Sequence, residues 1–281
     1  MSTVTPLIFK WARLSVRAAL SAIFVALTLG AVLAGSLGTA VPSAQAAQDA
    51  CPAVEVVFAR GTFEAPGVGA TGQAFVDALT ARLPGKTVEA YGVNYPASLN
   101  FGQAADGIVD AANRVQSIAS TCPTTKIVLG GYSQGAAVAG YTTTDSVPDG
   151  YPLPAGVSGP MPAAIASHVA AVVLFGTPDP WFMGLVDRDA PPITIGQLYT
   201  AKTLQLCVTG DPVCFPGGLT RSAHSAYKDN GMAGQAADFA AHRLAGTTPT
   251  TTVPQPATQV DATHRIDQPA PAPESNPLQG N

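Results

Sequence analysis

Between residues 51 and 245 the chain alternates two kinds of apolar pattern. The first is a short, nearly continuous run: AVEVVFAR at 53–60, VEAYGVNY at 88–95, KIVLGG at 126–131, VAAVVLFG at 169–176 and TLQLCV at 203–208. Runs of this length, rich in Val, Leu and Phe, predict strands buried on both faces. The second kind has helical spacing and covers 69–83, 104–120, 134–144 and 232–245. In 104–120, for example, Ile108, Ala111, Ala112, Val115 and Ile118 fall on one helical face. Strands separated by helices predict an α/β fold with a mainly parallel central sheet and helices on both of its faces. In such sheets, sites gather at the carboxyl ends of the strands.

Both ends of the chain break this alternation. Lys10, Arg13 and Arg17 precede an uncharged apolar stretch, and Ala44-Gln45-Ala46 offers a small-residue cleavage site, so residues 1–46 read as a secretory signal peptide. An uncleaved membrane anchor is the alternative, because the apolar stretch is long enough to span a bilayer. From residue 247 to 281 the chain is Pro/Thr-rich and almost without large apolar residues, which predicts a disordered tail. A single domain is expected over 47–246, a length that can bury one core.

Loss of residues 1–46 removes three basic residues and no acids, taking the formal charge from −4 to −7. No Lys/Arg cluster remains, so a nucleic-acid partner is not expected. The four cysteines all lie in the mature part, and an even count in a secreted chain reads as two disulfides. Of the three pairings, Cys207–Cys214 is favoured because the two flank a short turn with Gly and Pro, which leaves Cys51 for Cys122. A metal site is disfavoured: the spacing is not CxxC and no His lies nearby. Neither a metal nor a cofactor is expected.

Gly131-Tyr132-Ser133-Gln134-Gly135 is a GxSxG at the end of a predicted strand and the start of a small-residue helix. That is the context of a nucleophile elbow, in which Ser133 rises above the sheet and the Gln134 amide faces an incoming carbonyl oxygen. A serine nucleophile needs a base, and the base an orienting acid, in the chain order Ser, acid, His. Among the histidines, His168 precedes a strand, His242 lies inside the closing helix and His264 in the tail. His224, in a loop after the last predicted strand, is the expected base. For the acid, Asp179, Asp187 and Asp189 follow one strand, whereas Asp211 follows the next, where this architecture usually keeps it. The favoured bridge would tighten the loop around Asp211; the alternative is that it only staples a turn.

VVFARGT (56–62), VNYPAS (93–98), VLGGYSQGA (128–136), VVLFG (172–176), CVTGDPVC (207–214) and HSAY (224–227) occur in the order found in the cutinase family. Over 51 to about 245 the chain resembles that family, in particular its secreted mycobacterial cutinase-like serine esterases. The resemblance implies a small, lidless α/β-hydrolase with the triad Ser133, Asp211 and His224. It also implies an oxyanion hole from Thr62 and Gln134, and the disulfides Cys51–Cys122 and Cys207–Cys214. Many members carry Ser where this chain has Thr62. The segment 146–162 is longer than the family's usual connection; following the helix after Ser133, it is expected at the far end of the sheet and not as a lid.

The expected activity is hydrolysis of short-to-medium acyl esters, cutin-like polyesters or lipids through an acyl-enzyme, in a secreted, extracellular, monomeric protein that contacts cell-wall or lipid surfaces. Leu99, Phe101, Trp181, Phe182, Met183, Leu185, Phe215 and Leu219 fall on loops at the catalytic end and would form an apolar rim, unless they pack beneath their own loops. Two alternatives stay open: an esterase of acetylated polysaccharides, and a non-catalytic cell-wall or adhesion protein whose tail is its functional part.

Overall fold

The structure, a computed structural model, describes residues 51–147, 155 and 159–246. The expected signal peptide, the Pro/Thr-rich tail and most of the long connection after Ser133 lie outside the described residues. Five strands form one sheet: β1 (Val54–Ala59), β2 (Val88–Gly92), β3 (Lys126–Tyr132), β4 (Val169–Phe175) and β5 (Thr203–Leu206). The longer helices are α1 (Gly69–Arg82), α2 (Ala104–Thr121), α3 (Gln134–Thr142) and α7 (Met232–Leu244). Three short helices, α4 (Pro180–Val186), α5 (Gln197–Thr200) and α6 (Arg221–His224), interrupt the later loops.

All four strand pairs are parallel, in the order β2-β1-β3-β4-β5. The chain therefore runs from β1 outward to β2, then returns to the other side of β1. The connections leaving β1 and β3 diverge at that point, which opens a crevice above their carboxyl ends.

Alternation along the strands feeds two cores. Val57, Ala59, Ile127, Leu129, Val172 and Leu174 pack with Ala111, Val115 and Ile118 of α2 and with Val138 of α3. Val56, Phe58, Val128, Val173 and Phe175 face Phe75 and Leu79 of α1 and Ala236 and Ala240 of α7. On this second side Phe58, Phe75 and Phe175 meet with ring centroids 6.1–6.2 Å apart. Glu55, fully buried in β1, is paired with Arg114 of α2 at 2.5 Å. A carboxylate so placed is tolerable only with its cation present.

Cys51 is bonded to Cys122, joining the start of the domain to the end of α2, and Cys207 to Cys214. In the chain-entropy view the first closure contributes about 4 kcal/mol and the second about 2.4 kcal/mol.

Candidate active site

β3 ends in a turn that places Ser133 at φ 56° and ψ −121°, a strained conformation for a residue with a side chain. Strain of this kind costs on the order of 1–3 kcal/mol and persists only where the surroundings enforce it. Here the Ser133 amide donates to the Phe175 carbonyl of β4 at 2.9 Å. The flanking glycines leave the space. A Cβ on Gly131 would overlap the backbone of Gly135, and one on Gly135 would overlap that of Ala59 and Arg60. Gln134 then begins α3, so its amide is one of the four at a helix start without an intrahelical acceptor.

Ser133 Oγ lies 2.8 Å from His224 Nε2, and His224 Nδ1 lies 2.8 and 2.9 Å from the two carboxylate oxygens of Asp211. His224 is the last residue of the one-turn helix α6, where the sequence suggested a loop. Its carbonyl accepts the Tyr132 hydroxyl at 2.6 Å, and its ring packs on that of Tyr132 at 5.1 Å. The residue just before the serine thus fixes the height of the imidazole.

Asp211 has no exposed surface. Its Oδ1 accepts the Val213 amide at 2.8 Å, and its Oδ2 accepts the Tyr227 hydroxyl at 2.5 Å. Burial alone would raise its pKa, but the bonds from His224, Tyr227 and the Val213 amide outweigh it and hold the carboxyl below its ordinary value. The Cys207–Cys214 bridge closes the loop that carries it.

Tyr227 is a functional residue that sequence reasoning missed. Fully buried, it donates to Asp211, accepts the Val208 amide at 3.1 Å and touches Cys214 Sγ at 3.2 Å. Burial first, and then the bond to Asp211, push its phenol well above the usual range, so it stays a donor. Its place three residues after His224, within HSAY, was the signal available.

Thr62 lies in the loop after β1, and β1 is the strand beside β3. That loop is clamped. Buried Arg60 donates to the carbonyls of Glu64, Val93 and Tyr95, and the Glu64 carboxylate accepts the amides of Gly61 and Ala70. Phe63 donates its amide to Ala97 at 2.8 Å, and Gln134 Nε2 donates to Ser98 at 2.8 Å, so the loops after β1 and β2 are both tied to the crevice.

The other sequence candidates have different surroundings. Asp179 caps α4 by accepting the Phe182 amide at 2.7 Å, Asp187 ends that helix and Asp189 is exposed. His168 sits at the amino end of β4 and His242 in α7, while His264 lies outside the described residues. All four cysteines are disulfide-bonded, so none is a thiolate ligand.

The apolar rim is partly as expected. Leu99, Trp181, Leu185, Phe215 and Leu219 are exposed, joined by Phe63, which the sequence did not suggest. Phe101 and Met183 are buried instead, and Phe182 packs edge-on against Phe101 at 6.3 Å. Of the exposed large apolar side chains among the described residues, Phe63, Leu99, Phe215 and Leu219 lie in the loops after β1, β2 and β5, Trp181 and Leu185 on α4, and Leu198 on α5.

The cutinase family model matches residues 50–244. The probable carboxylesterase Culp5 of Mycobacterium tuberculosis is 52% identical over 170 residues, 60% of this chain and 95% of that protein. The phospholipase Culp4 of the same organism is 46% identical over 195 residues, 69% of this chain and 80% of that protein. Among solved structures, a Trichoderma reesei cutinase in complex with a phosphonate inhibitor is 33% identical with a TM-score of 0.51, covering 69% of this chain and 77% of that one. An acetylxylan esterase is 26% identical with a TM-score of 0.56, covering 69% and 99%.

Proposed function

The chain belongs to the cutinase family and is a carboxylic-ester hydrolase of α/β-hydrolase fold, and on that premise we propose that Ser133, His224 and Asp211 cleave acyl esters through a covalent acyl-enzyme. The observation that carries this is the unbroken relay from Ser133 Oγ to His224 to Asp211, each contact 2.8 Å, on a strained serine at the switch point of the sheet.

Ser133 Oγ attacks the ester carbonyl while His224 Nε2 takes its proton. Asp211, kept ionised by its three donors, stabilises the imidazolium and fixes the ring through Nδ1. The oxyanion is held by the Gln134 amide, reinforced by the positive end of α3, together with Thr62 on its clamped loop. His224 then protonates the leaving alcohol, and later activates the water that releases the acid. No step calls for a cofactor.

Short-to-medium acyl esters, cutin-like polyesters and lipids are the favoured substrates, because Phe63, Leu99, Trp181, Leu185, Phe215 and Leu219 are exposed on connections that leave the carboxyl ends of the strands. The relative named a phospholipase supports lipid esters. The likeness to an acetylxylan esterase supports a second reading, acetylated polysaccharide, but an apolar rim suits it less well. A purely adhesive protein would not need the strained serine or the aligned base. The two disulfides, together with the signal-like pattern of residues 1–46, support an extracellular enzyme whose Pro/Thr-rich segment is a solubilising or wall-spanning tail.

Hydrolysis of p-nitrophenyl esters across chain lengths, with Ser133→Ala as control, tests the reading. Turnover rising beyond acetate and lost in the variant supports it. Preference for acetate alone favours the polysaccharide reading, and no turnover at all refutes the enzyme.

A further inference from the structure

Arg60 is a buried cation that no chemical step of ester hydrolysis uses. Each of its three guanidinium nitrogens donates to a main-chain carbonyl: Nε to Glu64 at 2.8 Å, Nη1 to Val93 at 3.2 Å and Nη2 to Tyr95 at 2.6 Å. None of these acceptors is a carboxylate. The Tyr95 ring lies 5.1 Å from the cation, and the Tyr95 hydroxyl returns a bond to the Arg60 carbonyl at 2.5 Å. A charge in the interior is costly to place, and a well-packed apolar side chain can serve stability equally well. Stability alone therefore gives little reason for an arginine here.

We infer that Arg60 is a positioning residue for the hydrolysis: with Tyr95 it fixes the segment 60–64 so that the Thr62 donors and the Gln134 amide keep the spacing a tetrahedral oxyanion needs. The inference rests on the esterase reading above and deepens it. Three observations carry it. First, the clamp grips the residues around Thr62 and leaves Thr62 itself alone. Tyr95 holds the Arg60 carbonyl, the Glu64 carboxylate accepts the Gly61 amide at 2.7 Å, the Ala97 carbonyl accepts the Phe63 amide at 2.8 Å, and Arg60 holds the Glu64 carbonyl. Among the described residues no hydrogen bond within the protein takes up the Thr62 amide or hydroxyl, so both donors remain for a ligand. Second, one stretch of chain ties the two halves of the oxyanion site together. Val93, Tyr95 and Ala97 bind the loop after β1, and the next carbonyl, that of Ser98, accepts Gln134 Nε2 at 2.8 Å. Residues 93–98 thus span from the Thr62 loop to the start of α3. Third, backbone strain falls on the same contacts. Among the described residues, the non-glycine residues at positive φ are Phe63, Ala97 and Ser133, at 66°, 49° and 56°. Phe63 and Ala97 are bonded to each other, and Ser133 is the nucleophile. Such strain persists only where the surroundings enforce it, and Arg60 and Tyr95 are the buried anchors beside Phe63 and Ala97.

Tyr95→Phe and Arg60→Met test the assignment. Each variant and the wild type are assayed with p-nitrophenyl acetate and with its thiono analogue, in which sulfur replaces the carbonyl oxygen. Sulfur is larger than oxygen and a weaker acceptor, so the ratio of the two kcat/KM values, corrected for the reactivity of each ester toward hydroxide, reports the fit of the oxyanion site itself. Loss of a whole oxyanion donor costs about 10²–10³ in kcat, and a misplacement of about 1 Å about 10². Arg60→Met is therefore expected to lower kcat about 100-fold. Tyr95→Phe, which removes one oxygen and keeps the ring beside the cation, is expected to lower it about tenfold. In both, KM should change less than about twofold and the oxygen-to-sulfur ratio should fall with kcat. A folded Tyr95→Phe variant with wild-type kcat, or with a lower kcat at an unchanged ratio, overturns the positioning role and leaves Arg60 a structural cation, whether or not Arg60→Met folds. The wild type reports the underlying mechanism separately: no turnover of the oxygen ester, or turnover that survives Ser133→Ala, refutes the esterase reading, whereas an unchanged ratio refutes only the clamp.

Discussion

Tyr227→Phe removes one oxygen from the interior and leaves the ring in place. That oxygen donates to Asp211 Oδ2 at 2.5 Å and accepts the Val208 amide at 3.1 Å. A buried hydrogen bond to a charged group is worth about 1.5–3 kcal/mol. With the Val208 amide losing its partner as well, a loss of about 2 kcal/mol is the low end of the expectation. For a domain of this size that is a fall of about 4–8 °C in Tm. Asp211 keeps its bonds to His224 and the Val213 amide, so the relay survives but is less well fixed, and kcat should fall about tenfold, or about 1.4 kcal/mol, with little change in KM. The sign of the pH effect follows from the lowered pKa of Asp211. The stabilisation is fully present above the ordinary carboxylate pKa of about 3.9 and is lost as pH falls through the depressed folded value. The gap in Tm between wild type and Tyr227→Phe should therefore be constant near neutrality and narrow only in the acid carboxylate range. Thermal melts from neutral to acid pH, with steady-state kinetics at neutral pH, provide the assay. A variant that keeps full kcat and melts with the wild type would refute the positioning role, and a gap that stays constant through acid pH would refute its link to the Asp211 charge.

Asp211→Asn should lower kcat by about 10⁴, by analogy with loss of the orienting acid in serine hydrolases, whereas Asp179→Asn, which retains a capping side chain, should stay near full activity; near-normal turnover in the first and loss in the second would reverse the assignment. Changing Cys207 and Cys214 together to Ser should cost about 2.4 kcal/mol of stability and lower kcat more than it raises KM, because the closed loop holds Asp211; full activity with a lower Tm would reduce the bridge to a staple. Truncation after Gly246 should leave esterase activity and Tm nearly unchanged, and a large drop in Tm would show that the tail contributes to the folded domain.

The β1, β3 and β4 runs could be read from the chain because apolar continuity and β-branched content are local signals, and α2 because its one-sided spacing is periodic. β2 ends at Gly92, earlier than the expected 95, although the Val93 amide still donates to the Phe58 carbonyl of β1; a Cβ on Gly92 would overlap the backbone of Gly67. α4 is a helix where the apolar run suggests a loop, although Asp179 followed by Pro180 is a helix-start signal. α5 and α6 are single turns, too short for any period to show. Ser133 stood out because the elbow is a contiguous motif, and His224 because the other histidines fell in unsuitable elements. The strand order, which puts the loops after β1 and β3 side by side, is a long-range property with no local trace. The same holds for Tyr227 and Arg60, whose roles come from partners 16 to 35 residues away. The rim shows the limit of composition: Phe101 and Leu99 are equally apolar, yet one is buried and the other exposed.

Trapping the acyl-enzyme tests the nucleophile most directly. Wild type is mixed with a slowly deacylating p-nitrophenyl ester, quenched in acid, and analysed by intact-mass and peptide mass spectrometry. The expected result is one acyl adduct per molecule on the peptide containing Ser133, formed with a burst of nitrophenol and absent in Ser133→Ala. Turnover without any adduct, or an adduct on another residue, would contradict the assignment of Ser133.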